Sequence, residues 1–204
     1  MKLALRYWSI ALGLLAVGAW LVCPAGVCVT TRLDRSGLEL AHALAGPGPD
    51  LFMAAVTWLG SIWLLLPLAG LAALGLWWVG QGRQGAFLLL ALLGATALAQ
   101  FFKYGVQRPR PDLFPPLAGL PADPSYPSAH TMQVVAAALA VAVLAGRRRP
   151  WVPPALLVLA ALVAWSRLHL QVHFPTDVLA GALAAALWVV GLKHLILTVP
   201  GKGS

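Results

Sequence analysis

The sequence has few charged residues. Only 10% of its 204 residues are Asp, Glu, Lys or Arg, whereas a soluble globular domain has about 25%. Hydrophobic residues make up 60% of the chain, and its mean hydropathy is +0.84. This composition excludes an ordinary soluble globule and predicts an integral membrane protein.

Acidic residues are especially scarce. The chain has 6 Asp and Glu against 14 Lys and Arg, which gives a formal net charge of +8. An excess of this kind can indicate nucleic-acid binding, but such proteins carry a clustered basic face on a soluble fold. Here the cations stand singly or in short groups between apolar runs. We therefore expect no nucleic-acid partner.

Cysteine is nearly absent as well. Cys23 and Cys28 are too few for a zinc site. A disulfide between them requires that this part of the chain face an oxidising compartment, and two small free thiols are the other interpretation. Cys23-Pro24-Ala25 matches a signal-peptide cleavage site poorly, so the first apolar run is interpreted as a retained transmembrane helix.

Long apolar runs account for most of the remaining chain. A spanning helix needs about 20 mostly apolar residues. The second run contains Pro67, which predicts a kink or a tilt, and the fourth is short, so its first turn is expected to come from the polar residues before it. The six runs are 4–23, 51–79, 86–103, 131–146, 151–167 and 178–198.

The segment between the first two runs has a different pattern. Thr31 to Ala45 mixes leucines with charged residues, as in a short interfacial amphipathic helix. A lid over a lipid entrance and a plain connector on the membrane surface are both open interpretations. With no internal repeat or linker, the prediction is an all-α membrane protein in which residues 1–204 form one domain with six transmembrane helices.

Basic residues also indicate the orientation of the chain. Six spans place Arg147-Arg148-Arg149 in a short loop on the same side as both termini, and they place all six acidic residues on the other side. The positive-inside rule therefore puts both termini in the cytoplasm. The sequence does not indicate an oligomeric state.

Three polar clusters lie at the outer ends of the predicted spans. They are Lys103–Pro111, Pro127–His130 and Ser166–Asp177. Phosphate chemistry needs positive charge and fixed donors directed at the developing negative charge.

Three cations in these clusters can meet that need. Lys103 can act as a point charge, and Arg110 and Arg167 can form bidentate contacts with phosphate. Ser128 and the backbone N–H of Ala129 lie where a helix is expected to begin, which is a favourable position for an anion.

Two histidines can divide the chemistry. We interpret His173 as the nucleophile, because Asp177 follows it by four residues and can accept from one ring nitrogen while the other attacks. His130 then serves as general acid and, later, as general base.

Four further residues are expected to support the site: Pro111, Ser166, Arg108 and His169. Arg108 is expected to contact a second phosphate or a lipid headgroup, and His169 is expected to have a structural role. No metal and no cofactor are expected.

Taken in order, these motifs resemble the type 2 phosphatidic acid phosphatase superfamily. The matching patterns are Lys-x6-Arg-Pro, Pro-Ser-x-His and Ser-Arg-x5-His-x3-Asp, and the main departure is Ala129, where the family most often has Gly. The matched residues are Lys103, Arg110, Pro111, Pro127, Ser128, His130, Ser166, Arg167, His173 and Asp177.

The resemblance implies a metal-independent phosphatase with a phosphohistidine intermediate on His173. It also implies a bacterial cytoplasmic-membrane enzyme whose site faces outward and whose substrates are phosphatidic acid, phosphatidylglycerol phosphate or undecaprenyl pyrophosphate. Two alternatives are transfer of the phosphate to another lipid and transport of lipid phosphates. Transport would need polar residues in mid-membrane, and the predicted spans carry essentially none.

Overall fold

The computed structural model describes residues 1–117, 119, 121–146 and 149–198. Within those ranges the regular secondary structure is helical and contains no strand. Short 3₁₀ turns occur at Pro24–Gly26 and Trp58–Gly60. The α-helices are α1 (Lys2–Val22), α2 (Arg32–His42), α3 (Pro47–Thr57), α4 (Ile62–Trp78), α5 (Gly82–Val106), α6 (Ala129–Ala145), α7 (Val152–His169) and α8 (Pro175–Ile196).

The six predicted spans correspond to helices of three kinds. Helices α1, α5, α7 and α8 are each long and apolar enough to cross a membrane, and α3 and α4 form a bent pair. Helix α6 is apolar but has only 17 residues. It begins at Ala129, so it takes its first turn from the polar segment, as expected. The count of six crossings itself stays a prediction.

The second span bends, but not where the sequence predicted. Pro67 lies inside α4, whereas the 43° bend falls at the break between α3 and α4. Ser61 adopts an extended conformation there, and its side chain accepts a hydrogen bond from the N–H of Trp63 at 3.3 Å. A new helix therefore starts at this capping residue.

The core of the bundle is built from α1, α5, α6 and α8. Large side chains such as Leu15, Phe87 and Met132 are buried there. Alanines on the facing sides of α5, α6 and α8 are also buried, and small residues of this kind let membrane helices approach closely.

The predicted amphipathic helix is present as α2. Thr31 and Asp34 form a reciprocal capping box at its start, and its buried face, which includes Leu38 and Ala41, packs against α7 and α8. Cys23 and Cys28 form a disulfide in the segment between α1 and α2, so the free-thiol interpretation was wrong.

The ends of four helices meet at one end of the bundle. The three predicted motifs lie at the last turns of α5 and α7, at the first turns of α6 and α8 and in the segments beside them, and residues of each motif line one cavity. The prediction that the three motifs lie at the same end of the bundle is thus confirmed. Three cations used for the orientation, Arg147, Arg148 and Lys202, lie outside the described residues.

Candidate active site

A polar cavity of about 130 Å³ lies where these helix ends meet. Among the residues lining it are five from the predicted motifs: Lys103, Arg110, His130, Arg167 and His173. The lining also includes Asp123, Gln100 and Gln133, which sequence reasoning missed. The cavity therefore brings three cations and two imidazoles together.

The three cations are fixed in different ways. Arg110 donates to the backbone carbonyls of Pro121, Asp123 and Val172 at 3.1, 2.9 and 2.6 Å. Lys103 is fully buried and donates to the carbonyl of Pro124.

Arg167, near the end of α7, is supported from α3. It donates to the hydroxyl of Thr57 at 2.6 Å. Its buried Nε has no hydrogen-bond partner within the described part of the chain, and an N–H donor that faces no protein acceptor is available to a bound anion.

The contacts of His173 define its tautomer. Its Nε2 lies 3.3 Å from a guanidinium nitrogen of Arg110. Because a guanidinium can only donate, Nε2 must be the accepting, unprotonated nitrogen, and the proton is assigned to Nδ1. The lone pair of Nε2 is therefore on the cavity side of the ring, where a nucleophile is needed.

Ser125 links the other side of this ring to the carboxylate. Its hydroxyl lies 3.3 Å from Nδ1 of His173 and donates to Oδ2 of Asp177 at 2.5 Å. The direct distance from Nδ1 to Oδ2 is 3.5 Å, too long for a strong hydrogen bond. The predicted direct contact between Asp177 and His173 is therefore replaced by a relay through Ser125, which the motif spacing did not reveal.

Asp177 is itself held by several donors. It lies in the first turn of α8, where Oδ2 also accepts from the backbone N–H of Phe174 at 3.0 Å. Its Oδ1 accepts from Arg108 at 2.5 Å. Both carboxylate oxygens of Asp177 thus accept hydrogen bonds.

Arg108 is not placed for the expected contact with a second phosphate or a lipid headgroup, but it supports the site through Asp177, as expected of a residue beside it. Its side chain is 1% exposed, and its second terminal nitrogen pairs with Asp34 of α2 at 2.8 Å. The guanidinium also stacks 3.9 Å from the ring centre of Phe174. Two carboxylates therefore bind both ends of this cation, and it is not available to a second phosphate or a lipid headgroup.

His173 lies in the turn between α7 and α8. Burial and the nearby cations Lys103, Arg110 and Arg167 lower its pKa well below the ordinary value. The imidazole is therefore neutral at neutral pH, the state in which a ring nitrogen can attack an electrophile.

Three other predicted residues, Ser128, Ser166 and Pro111, do not line the cavity. Ser128 is fully buried, and its hydroxyl accepts from Thr131 at 2.9 Å, while Ala129 beside it does line the cavity. The Ser166 hydroxyl donates to the carbonyl of Val163 at 2.7 Å. Pro111 is buried beside Arg110 in the chain.

His169 also lies away from the cavity. Its Nε2 is 2.8 Å from Oδ1 of Asp50, so it connects α7 to α3. Within the described ranges, no group of three or more His, Cys, Asp or Glu residues is arranged to hold a metal ion.

Comparison with known proteins places this geometry in a family. The sequence profile of the PAP2 superfamily matches residues 84–199, which contain all three motifs. The chain belongs to the PAP2 superfamily. Phosphatidylglycerophosphatase B of Bacillus subtilis is 32% identical over 155 residues, 72% of this chain and 75% of the relative. The decaprenylphosphoryl-5-phosphoribose phosphatase of Mycobacterium tuberculosis is 37% identical over 61% of this chain and 66% of its own length.

A solved PAP2 structure shares the whole fold. The crystal structure of a transmembrane PAP2-type phosphatidylglycerolphosphate phosphatase from Bacillus subtilis aligns over 100% of both chains, with a TM-score of 0.78 and 25% identity. The PAP2 membership, the named phosphatases and the apolar helices together make this chain a multi-pass membrane protein and a lipid phosphatase.

Proposed function

We propose that this chain, a single domain of residues 1–204, hydrolyses lipid phosphate esters through a phosphohistidine intermediate on His173. The observation that carries the proposal is the position of Nε2. It is unprotonated, it contacts Arg110, and it shares the cavity with Lys103 and Arg167. An electron pair among three cations is suited to attack a bound phosphate.

In the first step, Nε2 of His173 attacks phosphorus and the bond from phosphorus to the lipid oxygen breaks. The cations offset the negative charge on the phosphoryl oxygens. The relay from Nδ1 through Ser125 to Asp177 stabilises the positive charge that develops on the ring. His130 lines the same cavity, where the negative charge of the bound phosphate favours its protonated form, and it donates a proton to the departing alkoxide.

In the second step, His130 accepts a proton from water. The resulting hydroxide attacks phosphorus, the bond between phosphorus and Nε2 breaks, and inorganic phosphate leaves. His130 is then protonated and His173 is neutral, as the next cycle requires. These protein groups complete the scheme without a metal ion or cofactor.

We further propose that the site faces outward from a bacterial cytoplasmic membrane and that both termini are cytoplasmic. The support is the distribution of Lys and Arg among the loops. The proposed substrates are phosphatidic acid, phosphatidylglycerol phosphate and undecaprenyl pyrophosphate, a range consistent with relatives named for lipid phosphates.

The test is phosphate release by detergent-purified protein from these three lipids, with EDTA present. His173→Ala is expected to lower turnover by about 1,000-fold or more, because loss of a catalytic nucleophile removes most of the rate enhancement. His194→Ala, near the opposite end of α8, is the matched control and is expected to retain activity. Retained turnover in folded His173→Ala would refute the nucleophile assignment, and phosphate appearing on an acceptor lipid instead of in water would identify a transferase.

A further inference from the structure

Asp123 is the one carboxylate among the described residues that line the cavity. Its Oδ2 lies 3.0 Å from Nζ of Lys103, and its Oδ1 lies 2.6 Å from a terminal nitrogen of Arg110. Each oxygen thus binds one of the cations assigned to substrate phosphate. The two carboxylate oxygens therefore pair with the same cations that two phosphoryl oxygens of a substrate would bind.

We propose that Asp123 competes with the substrate phosphate for Lys103 and Arg110 and thereby selects phosphomonoesters over diphosphates. This inference rests on the proposed function and adds a determinant of substrate class to it. Asp123 belongs to none of the three motifs, and its spacing from them does not predict this role.

The two cations have backbone partners besides the side chain of Asp123. Three backbone carbonyls hold Arg110, and the carbonyl of Pro124 holds Lys103. The carboxylate can therefore move aside without displacing them. Its side chain is 30% exposed, whereas Asp177, which holds the relay, is fully buried. Asp123 thus behaves as an exchangeable counter-ion.

The carboxylate is ionised when the cavity is empty. Burial opposes ionisation, but Lys103 and Arg110 outweigh burial and lower the pKa of Asp123 below its ordinary value. A phosphate that enters the cavity therefore meets a negative charge on its own binding groups.

The selectivity for phosphomonoesters follows from how this repulsion depends on the charge of the substrate. Coulomb energy is proportional to the product of the two charges, so a diphosphate, which carries more negative charge than a phosphomonoester, is repelled more strongly. Arg108 does not offset the repulsion, because Asp34 and Asp177 bind both ends of its guanidinium.

The experiment compares Asp123→Asn with the unchanged protein. Initial rates are measured on phosphatidylglycerol phosphate and on undecaprenyl diphosphate in the same detergent, and kcat/KM is determined for each. Asparagine keeps the shape of the side chain and removes its charge. Asp112→Asn is the matched control, because Asp112 is an exposed acid in the same loop and does not line the cavity.

We expect Asp123 to slow the reaction of the diphosphate more than that of the monoester. Asp123→Asn is expected to raise kcat/KM for the diphosphate relative to the monoester by about fivefold, the effect of removing one nearby like charge in a partly solvated site. Inorganic phosphate, titrated by calorimetry, is expected to bind about fivefold tighter to Asp123→Asn than to the unchanged protein. Asp112→Asn should change neither quantity.

Three results would overturn the inference: an unchanged substrate ratio in folded Asp123→Asn, unchanged phosphate affinity, or weaker phosphate binding. The last would mean that Asp123 positions the cations. The calorimetry also separates this inference from the proposed function. If the unchanged protein hydrolyses neither lipid but Asp123→Asn binds phosphate more tightly, competition for the cations stands and the proposed reaction fails.

Discussion

At the scale of single residues, the orientation of His173 depends on a hydroxyl between the ring and the carboxylate. Ser125 is fully buried, and its hydroxyl lies 3.3 Å from Nδ1 of His173 and 2.5 Å from Oδ2 of Asp177. Asp177 fixes this hydroxyl, and the hydroxyl fixes the ring with Nε2 on the cavity side. The tautomer of His173 is therefore maintained by two groups acting in series.

Replacing Ser125 by alanine removes the connecting group. We expect kcat to fall by about 10- to 100-fold, because a hydrogen bond to a charged group contributes about 1.5–3 kcal/mol. The KM should change little, since the cations proposed to bind phosphate are intact. Steady-state kinetics on phosphatidylglycerol phosphate measures both, with Ser36→Ala, at an exposed position of α2, as the control. A kcat within about twofold of the unchanged protein would exclude the relay.

Motif spacing could predict His173, Asp177, Lys103, Arg110 and Arg167 at one site because each lies in a recognisable local pattern at a helix end. It could not predict the partners of Asp177. Arg108 and Ser125 are 69 and 52 residues away from it along the chain. Such pairs depend on how the helices pack. For the same reason the sequence assigned Arg108 to the substrate, whereas folding buries it against Asp34.

At the scale of helices, the break between α3 and α4 brings backbone close to His130, the proposed general acid. A Cβ placed on Gly60 would lie 2.5 Å from Cγ1 of Val163 and 3.2 Å from the carbonyl oxygen of His130. The absence of a side chain at Gly60 thus allows the break to pack against α6 and α7. The composition of the run indicated a bend at Pro67, but proline is tolerated inside membrane helices, and the bend occurs instead at this tertiary contact.

Gly60→Ala is expected to lower both stability and activity. The added methyl group would displace Val163 and the backbone of His130, and a shift of the general acid is expected to reduce kcat by about tenfold. Gly70→Ala is the matched control in the same broken span, because no atom lies within 4 Å of the Cβ position. That change should preserve activity, since replacing glycine by alanine in a helix stabilises it by about 0.5–1 kcal/mol.

Thermal unfolding in detergent and kcat for the two variants together test the packing role. Equal thermal midpoints and equal kcat values for Gly60→Ala and Gly70→Ala would mean that the break does not position His130. A loss of stability without a loss of kcat would assign the contact to the fold alone.

At the scale of the whole molecule, the site is a buried polar network inside an apolar bundle. Arg108 connects α2 and α8 through Asp34 and Asp177, and Thr176 also donates to Asp34 at 2.7 Å. His169 connects α7 and α3. Helices that hydrophobic packing brings together are therefore also joined by ion pairs around the cavity. Protonation of this region should affect the stability of the entire bundle.

The clearest such effect comes from His173. Its folded-state pKa lies well below the value of 6.5 expected when it is unfolded. Between these two values the unfolded chain binds more protons than the folded one, so stability rises with pH in that window. The contribution of neutral His173 is thus complete above about pH 6.5 and is lost as pH falls below it, by up to about 1.4 kcal/mol per pH unit.

We expect the thermal midpoint in detergent to be steady from about pH 8 to pH 7 and to fall between about pH 6.5 and pH 5. His173→Gln cannot titrate and should show a smaller fall over that range, whereas His194→Gln should retain the original slope. Asp123 does not account for the change, because its pKa lies below 3.8 in the folded protein and its contribution is lost only at lower pH. A midpoint that does not vary with pH, or the same slope in His173→Gln, would mean that His173 is not held neutral by burial, and the attack by its Nε2 at neutral pH would lose its electrostatic basis.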